Sequence, residues 1–231
     1  MSNMNSVSSA LSAVQILGEQ SFNYMLVDLP PGGTIITEAG AMASMDSDID
    51  LESRLNGGIV GALLIYFLGG ESIFINRFIN RSNQNRRIYL SQPTPGQLLC
   101  EAINGEALLL QPGAFVACSP GIRFRIRWAG ISSWLGGEGL FRLQIYGHGY
   151  VWYGSYGSIV ERDVDGSLLV DTGHLLSYPP SISLQAKLAG GLFSSFFGGE
   201  GLVLHLRGKG RIKLQTRSVS GLASWLNRWF S

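Results

Sequence analysis

The sequence predicts an all-β protein built from three repeated units and finished by a short helix. Three observations carry that prediction. Glycine is abundant at 31 residues while proline is only 8, which suits many short strands joined by tight turns. One phrase recurs, as LGGESIF ending in Phe74, LGGEGLF ending in Phe141 and FGGEGLV ending in Val203. The last stretch, SGLASWLNRWF, places Leu222, Trp225, Leu226 and Trp229 three or four residues apart, the period of an amphipathic helix.

Each copy of the phrase closes the same series of elements. Upstream lie GGTIITEAGAMASM (Gly32 to Met45), NGEALLLQPGAFVAC (Asn104 to Cys118) and DGSLLVDTGHLLSY (Asp165 to Tyr178). Each reads as a glycine, an apolar strand, a turn ending in Gly40, Gly113 or Gly173, and a second apolar strand. Gln111-Pro112-Gly113-Ala114 has proline second and glycine third, as a type II turn requires. Gly40 and Gly173 hold the same place, where a positive φ is expected. A short alternating segment follows, then a glycine-rich apolar loop, then Gly-Gly-Glu and another strand. The period is roughly 60 to 70 residues, longer than common solenoid repeats, so each copy is a small β-unit. The strands after Gly-Gly-Glu read as hairpins turning at Gly147-His148-Gly149 and Gly208-Lys209-Gly210, with a longer polar tip, Asn80 to Arg87, in the first copy. The chain is thus one domain, 1–231, with repeats at about 13–97, 98–157 and 158–218 and an amphipathic helix over 219–231.

Composition bounds the function. Hydrophobic residues make up 45% of the 231 and charged residues 14%, which excludes a disordered chain and gives a core of ample size. So little charge leaves apolar surface for another subunit or a lipid. Lys plus Arg (17) nearly cancels Asp plus Glu (16), so bulk charge points to no nucleic-acid partner. Cys100 and Cys118 form neither a disulfide framework nor a metal spacing and read as small buried thiols. The N-terminus lacks the pattern of a secretory signal. The most apolar stretch, Gly57 to Gly70, is too short to span a bilayer. A soluble, cytoplasmic protein is expected, peripheral to a membrane if its apolar loops insert there.

The motifs EAGAM (Glu38 to Met42), GGESIFINRF (Gly69 to Phe78), VDTGHLLSY (Val170 to Tyr178) and GGEGLVLHLRGKGRIKLQTRS (Gly198 to Ser218) resemble the altered-inheritance-of-mitochondria family. Its bacterial members fall in the superfamily of the tryptophan RNA-binding attenuation protein. The resemblance implies three small β-sandwich units, a short variant of the double-stranded β-helix, and a ring-like homo-oligomer, a trimer. Eukaryotic relatives are tied to mitochondrial inner-membrane organisation. No catalytic residues come with the family. Its first loop often carries Lys or Arg among the glycines, whereas GGIVGALLIYFLGG here carries none, which favours an apolar contact over anion binding.

Four constellations were candidates for function. His148, His174 and His205 share no element with Cys, His or carboxylate at ligand spacing: His148 is a turn tip, His174 a turn residue near Asp171, and His205 a solvent-facing strand residue. No Gly-x-Ser-x-Gly elbow occurs, so neither enzyme activity nor a cofactor or metal is expected. Glu71, Glu138 and Glu200 form either a carboxylate ring for a cation or, preferred, acceptors for backbone N–H groups in a tight loop. In GIRFRIRW, Arg123, Arg125 and Arg127 alternate with apolar residues and present one strand face. It is a polyanion site for phosphates of RNA or lipid, or a solvated face, which is preferred. The glycine-rich loops carry Leu64, Phe67, Trp134, Phe196 and Phe197. Subunit contact is the plainer role for them and shallow membrane insertion the sharper one. The expected function is a non-enzymatic, ring-forming binding or scaffold protein with a membrane surface or membrane protein as partner. The alternative is a small-ligand or RNA-binding regulator.

Overall fold

The computed structural model describes residues 13–53, 75–111, 113–128, 141–188 and 202–230. Glu71, Glu138, Glu200 and the loop residues Leu64, Phe67, Trp134, Phe196 and Phe197 lie outside them. The described chain is mostly β, with one helix at its end. After the leading strand β1 (Ala13–Leu17), the strands fall into three successive series. The first holds β2 (Tyr24–Leu29), β3 (Thr34–Glu38), β4 (Met42–Met45), β5 (Ile49–Ser53), β6 (Ile75–Asn80) and β7 (Arg86–Ser91). The second holds β8 (Leu98–Asn104), β9 (Leu108–Leu110), β10 (Phe115–Cys118), β11 (Ile122–Trp128) and β12 (Phe141–Gly154). The third holds β13 (Ile159–Asp171), β14 (Leu175–Tyr178), β15 (Ile182–Leu188) and β16 (Leu202–Gln215), followed by α1 (Val219–Phe230).

One antiparallel pairing scheme runs through all three series. In the second, the first half of β12 pairs with β11 and β9, and its second half with β8 and β10. In the third, β16 pairs with β15, with β13 along its whole length, and with β14. In the first, the long strand is split: β6 pairs with β5 and β3, while β7 pairs with β2 and β4. Asn80, fully buried, holds that break by donating to the carbonyls of Leu29 at 2.8 Å and Gln84 at 2.7 Å.

The expected hairpins are therefore not hairpins. β12 continues through Gly147-His148-Gly149, and β16 through Gly208-Lys209-Gly210. In the first series β6 and β7 pair with different strands instead of with each other. The glycines bend the strand so that its halves serve different partners, and the preceding turn presses against the bend. A Cβ on Gly147 would lie 2.4 Å from the Gly121 carbonyl oxygen, and one on Gly208 would lie 2.3 Å from that of Ser181. Gly147 (φ +114°) and Gly208 (φ +136°) also occupy backbone space open to glycine. A glycine inside a strand marks such a close approach as readily as it marks a turn.

Two junctions join the series. β10 pairs with β3, placing Ala117 opposite Thr37 and Cys118 opposite Ile36. β14 pairs with β9, placing Ser177 opposite Leu110 and Tyr178 opposite Leu109. Each junction strand feeds two cores. Phe115 and Cys118 pack with Leu143, Ile145 and Tyr153, while Val116 and Ala117 pack with Phe78, Ile88 and Leu90 of the first series. Leu176 likewise enters the second core while Leu175 and Tyr178 enter the third. All four residues of both β10 and β14 are buried. Side chains repeat the link where each series begins: Asn23 Oδ1 accepts from Leu98 N at 3.2 Å, and Gln97 Oε1 accepts from Ile159 N at 2.7 Å.

Gly40 (φ +91°) and Gly113 (φ +76°) have the left-handed backbone expected at their turns. Gly173 does not, although the turn forms, with His174 N donating to the Asp171 carbonyl at 3.1 Å. Its requirement is space: a Cβ there would lie 2.7 Å from Ser218 Cβ and 3.2 Å from Ser220 Oγ. Ser218 caps α1, its Oγ accepting from Gly221 N at 3.1 Å, so Gly173 lets the helix start against the β13–β14 turn. Gly113→Val is therefore expected to cost about 1–3 kcal/mol through backbone strain alone, with Gly113→Asn retaining most of the stability. Gly173→Ala is expected to cost about 1–3 kcal/mol through overpacking and to loosen α1. Denaturant melts check both, and a neutral Gly173→Ala would contradict the Ser218 contact.

Candidate functional site

Two surfaces and one partly buried cluster stand out. The first surface is the outer face of β11. Arg123, Arg125 and Arg127 are exposed while Phe124 and Ile126 between them are partly buried, as a period-two strand on a core demands. Arg125 lies 5.7 Å from the centre of the Tyr146 ring, within cation–π reach. Arg127 Nε donates to Gln144 Oε1 at 2.6 Å. No carboxylate among the described residues pairs with any of the three. The matching strands differ in charge. On β5, Asp50 and Glu52 stand in the places of Arg123 and Arg125, and Arg81 bridges to both at 3.0 and 2.9 Å. On β15 the places hold Ser183 and Gln185. The basic face thus belongs to one unit of the three. It can hold phosphate oxygens through guanidinium donors, and its exposure means that salt screens any such contact.

The second surface is α1, which the sequence identified as a helix but not as a surface feature. On a helical wheel Trp225, Trp229, Leu222, Leu226, Val219 and Phe230 fill one side, with Ser220, Ser224 and Asn227 opposite. Every one of those apolar residues is exposed, up to 71% for Trp229 and 84% for Phe230. Trp225 and Trp229 meet edge-on with ring centres 6.2 Å apart. The periodicity that revealed the helix could not say that its apolar side would face outward.

The partly buried cluster links the second series to the third. Tyr153, fully buried on β12, donates to Glu101 Oε2 at 2.6 Å, and Lys213 Nζ on β16 donates to the same oxygen at 2.9 Å. Ser177 Oγ on β14 lies 3.4 Å from the Tyr153 hydroxyl. Burial, and then the Glu101 charge, raise the Tyr153 hydroxyl above the ordinary tyrosine range. The histidines do not gather. His148 is exposed, and His174 Nδ1 contacts the Gln215 carbonyl at 2.7 Å, a structural link from the turn to β16. His205 is partly buried instead of solvent-facing. Cys118 is buried as expected, but Cys100 is exposed, because β8 turns that residue outward.

Tyr153→Phe leaves the Glu101 carboxylate with one donor fewer and is expected to lower stability by about 1.5–3 kcal/mol. Because the folded state raises the tyrosine above its unfolded value near pH 10, its contribution is complete below about pH 10 and fades as pH rises beyond that. Chemical melts from pH 7 to 11 should show the wild type converging on Tyr153→Phe at the alkaline end.

The geometry agrees with what comparison with known proteins finds. An uncharacterized protein of Streptococcus pyogenes serotype M6 is 28% identical over 217 residues, covering 90% of this chain and 87% of its own. An X-ray crystal structure of a Streptococcus pyogenes protein, also 28% identical, superposes with a TM-score of 0.79 over 94% of this chain and 99% of that one. The family model described as Mitochondrial biogenesis AIM24 matches residues 14–217, nearly the whole described fold short of α1. This chain belongs to the Mitochondrial biogenesis AIM24 family.

Proposed function

We propose that the protein is a non-enzymatic homo-oligomeric scaffold, a ring of three copies, that docks on a membrane surface. The observation that carries the reading is the uncovered apolar side of α1. Trp225, Trp229 and Phe230 on one amphipathic helix suit the boundary between headgroups and acyl chains. From Thr216 to Ser231 the sequence holds two arginines, Arg217 and Arg228, and no acid, which complements an anionic leaflet. No helix among the described residues is long and apolar enough to cross a bilayer, so this contact would be peripheral. Oligomerisation multiplies it, since several weakly inserting helices on one assembly bind with the avidity that one lacks. The apolar loops bearing Leu64, Phe67, Trp134, Phe196 and Phe197 would add to the same contact or close the subunit interface.

A second reading, an RNA-binding or small-ligand regulator, draws on the exposed Arg123, Arg125 and Arg127. The near-neutral chain argues against it as the main role, because phosphate-backbone binding needs net positive charge brought to one face.

Liposome flotation decides the main reading. The wild type is expected to float with vesicles containing anionic phospholipid. Trp225→Ser combined with Trp229→Ser and Phe230→Ser should stay in the bottom fraction with an unchanged melting curve. A wild type that stays down would end the membrane reading. Retention on single-stranded RNA at low salt, lost on changing Arg123, Arg125 and Arg127 to Gln, would move the conclusion to the second.

A further inference from the structure

The two junctions follow one register, counted from the turn glycines. The residue four after a glycine faces the residue three before the previous unit's glycine: Ala117 with Thr37, and Ser177 with Leu110. The residue five after faces the residue four before: Cys118 with Ile36, and Tyr178 with Leu109. The same rule defines a third pairing that the single chain leaves unmade. It would place Ser44 of β4 opposite Val170 of β13, and Met45 opposite Leu169.

Both halves of that third pairing are open. Among the described strands β4 pairs only with β7 and β13 only with β16, so each is the last strand of its described sheet. The burial shows what each lacks. β10 and β14 are buried at all four positions, whereas Met42, Ala43 and Ser44 of β4 are exposed and Met45 is half-buried. Ala43 and Ser44 occupy the places of Val116 and Ala117, which pack into the core of the preceding unit. Leu169 is 63% exposed, while its counterpart Leu109 is buried in the third core and Ile36 packs against the second.

The two halves of β13 are also protected differently. The first half carries Glu161, Arg162, Asp163 and Asp165, charges that deter edge-to-edge pairing. In the second half, Leu168-Leu169-Val170 form an uncharged run that ends at Asp171, the last residue of the strand. An uncharged apolar edge beside a charged one marks the segment that is covered in the assembled protein.

We infer that β4 of one copy of this chain adds antiparallel to the Leu168–Val170 edge of β13 in a second copy, repeating between chains the junction made twice within each. Leu169 would enter the first core of the neighbouring copy beside Met45, and Ala43 and Ser44 would cover the third core of the other. The contact joins unlike surfaces, so it propagates head to tail and closes as a ring instead of stopping at a two-fold dimer. This deepens the oligomer proposed above and rests on it.

Directly opposed residues of an antiparallel pair have Cα atoms about 4.5–5.5 Å apart, within the range a disulfide spans. Two chains, one with Met45→Cys and the other with Leu169→Cys, both carrying Cys100→Ser, are co-expressed with different tags and oxidised. Each introduced cysteine is on a different chain and Cys118 is buried, so only contact between copies can link the introduced pair. The expected result is a mixed-tag disulfide dimer, at least tenfold more abundant than the like-tag dimers. Leu169→Lys, at an exposed position, is expected to keep its strand signal by circular dichroism and lose assembly in light scattering. An oligomer by light scattering with no mixed-tag dimer, or with Leu169→Lys still assembled, overturns the edge pairing and leaves the oligomer standing. A wild type that is monomeric at micromolar concentration overturns both. So does a Met45→Cys/Leu169→Cys chain that closes its disulfide within a monomer.

Discussion

The structure depends on the strand that follows each turn glycine. β10 and β14 hydrogen-bond to their own unit on one edge and to the preceding unit on the other, and their side chains are divided between the two cores. Because each is buried on both faces, neither unit at a junction has a complete core alone. Burial of an apolar side chain is worth about 1.5–3 kcal/mol, so Phe115, Val116, Leu175 and Leu176 outweigh any surface ion pair in the molecule. The exposed bridges, such as Arg211 with Asp163 at 3.0 Å, are worth little beside them. The partly buried Tyr153–Glu101–Lys213 cluster ties the second junction together without supplying its main driving force.

That dependence explains why the long strands bend. Each long strand pairs with different strands of its own unit along its two halves, the second half holding the junction strand β10 or β14, and Gly147 and Gly208 stand where the partners change. Gly-x-Gly in an alternating stretch reads as a hairpin from sequence, since positive-φ glycine is the commonest turn signal. What the sequence could not display was the carbonyl of Gly121 or Ser181 pressed against the bend. Gly173 is the mirror case. Its place in the repeat suggested the φ of Gly40 and Gly113, but its need is the proximity of Ser218, more than 40 residues away. Long-range steric contacts leave no mark in local spacing.

The all-β class, the repeated turn and the terminal helix were legible because each rests on a local period or a local turn chemistry. The alternation of Arg123, Arg125 and Arg127 with Phe124 and Ile126 likewise predicted an exposed basic face. The apolar side of α1 was visible as a pattern, but amphipathicity is silent on which partner a face meets. Trp225, Trp229 and Phe230 became candidates only once they were found uncovered. The open edges at β4 and Leu168–Val170 were hidden more deeply, since they emerge only when the register of two formed junctions is carried to the third.

A protein that repeats one junction twice within a chain has the means to repeat it between chains, and such an assembly would gather its terminal helices and the basic strands at fixed spacing. Hydrogen exchange tests this most directly. In the assembled protein, amides of residues 43–45 and 168–171 should exchange as slowly as those of Phe115–Cys118, and should lose that protection on dilution to monomer while β10 and β14 keep theirs. Fast exchange at both edges in a sample that light scattering shows to be oligomeric would contradict the account.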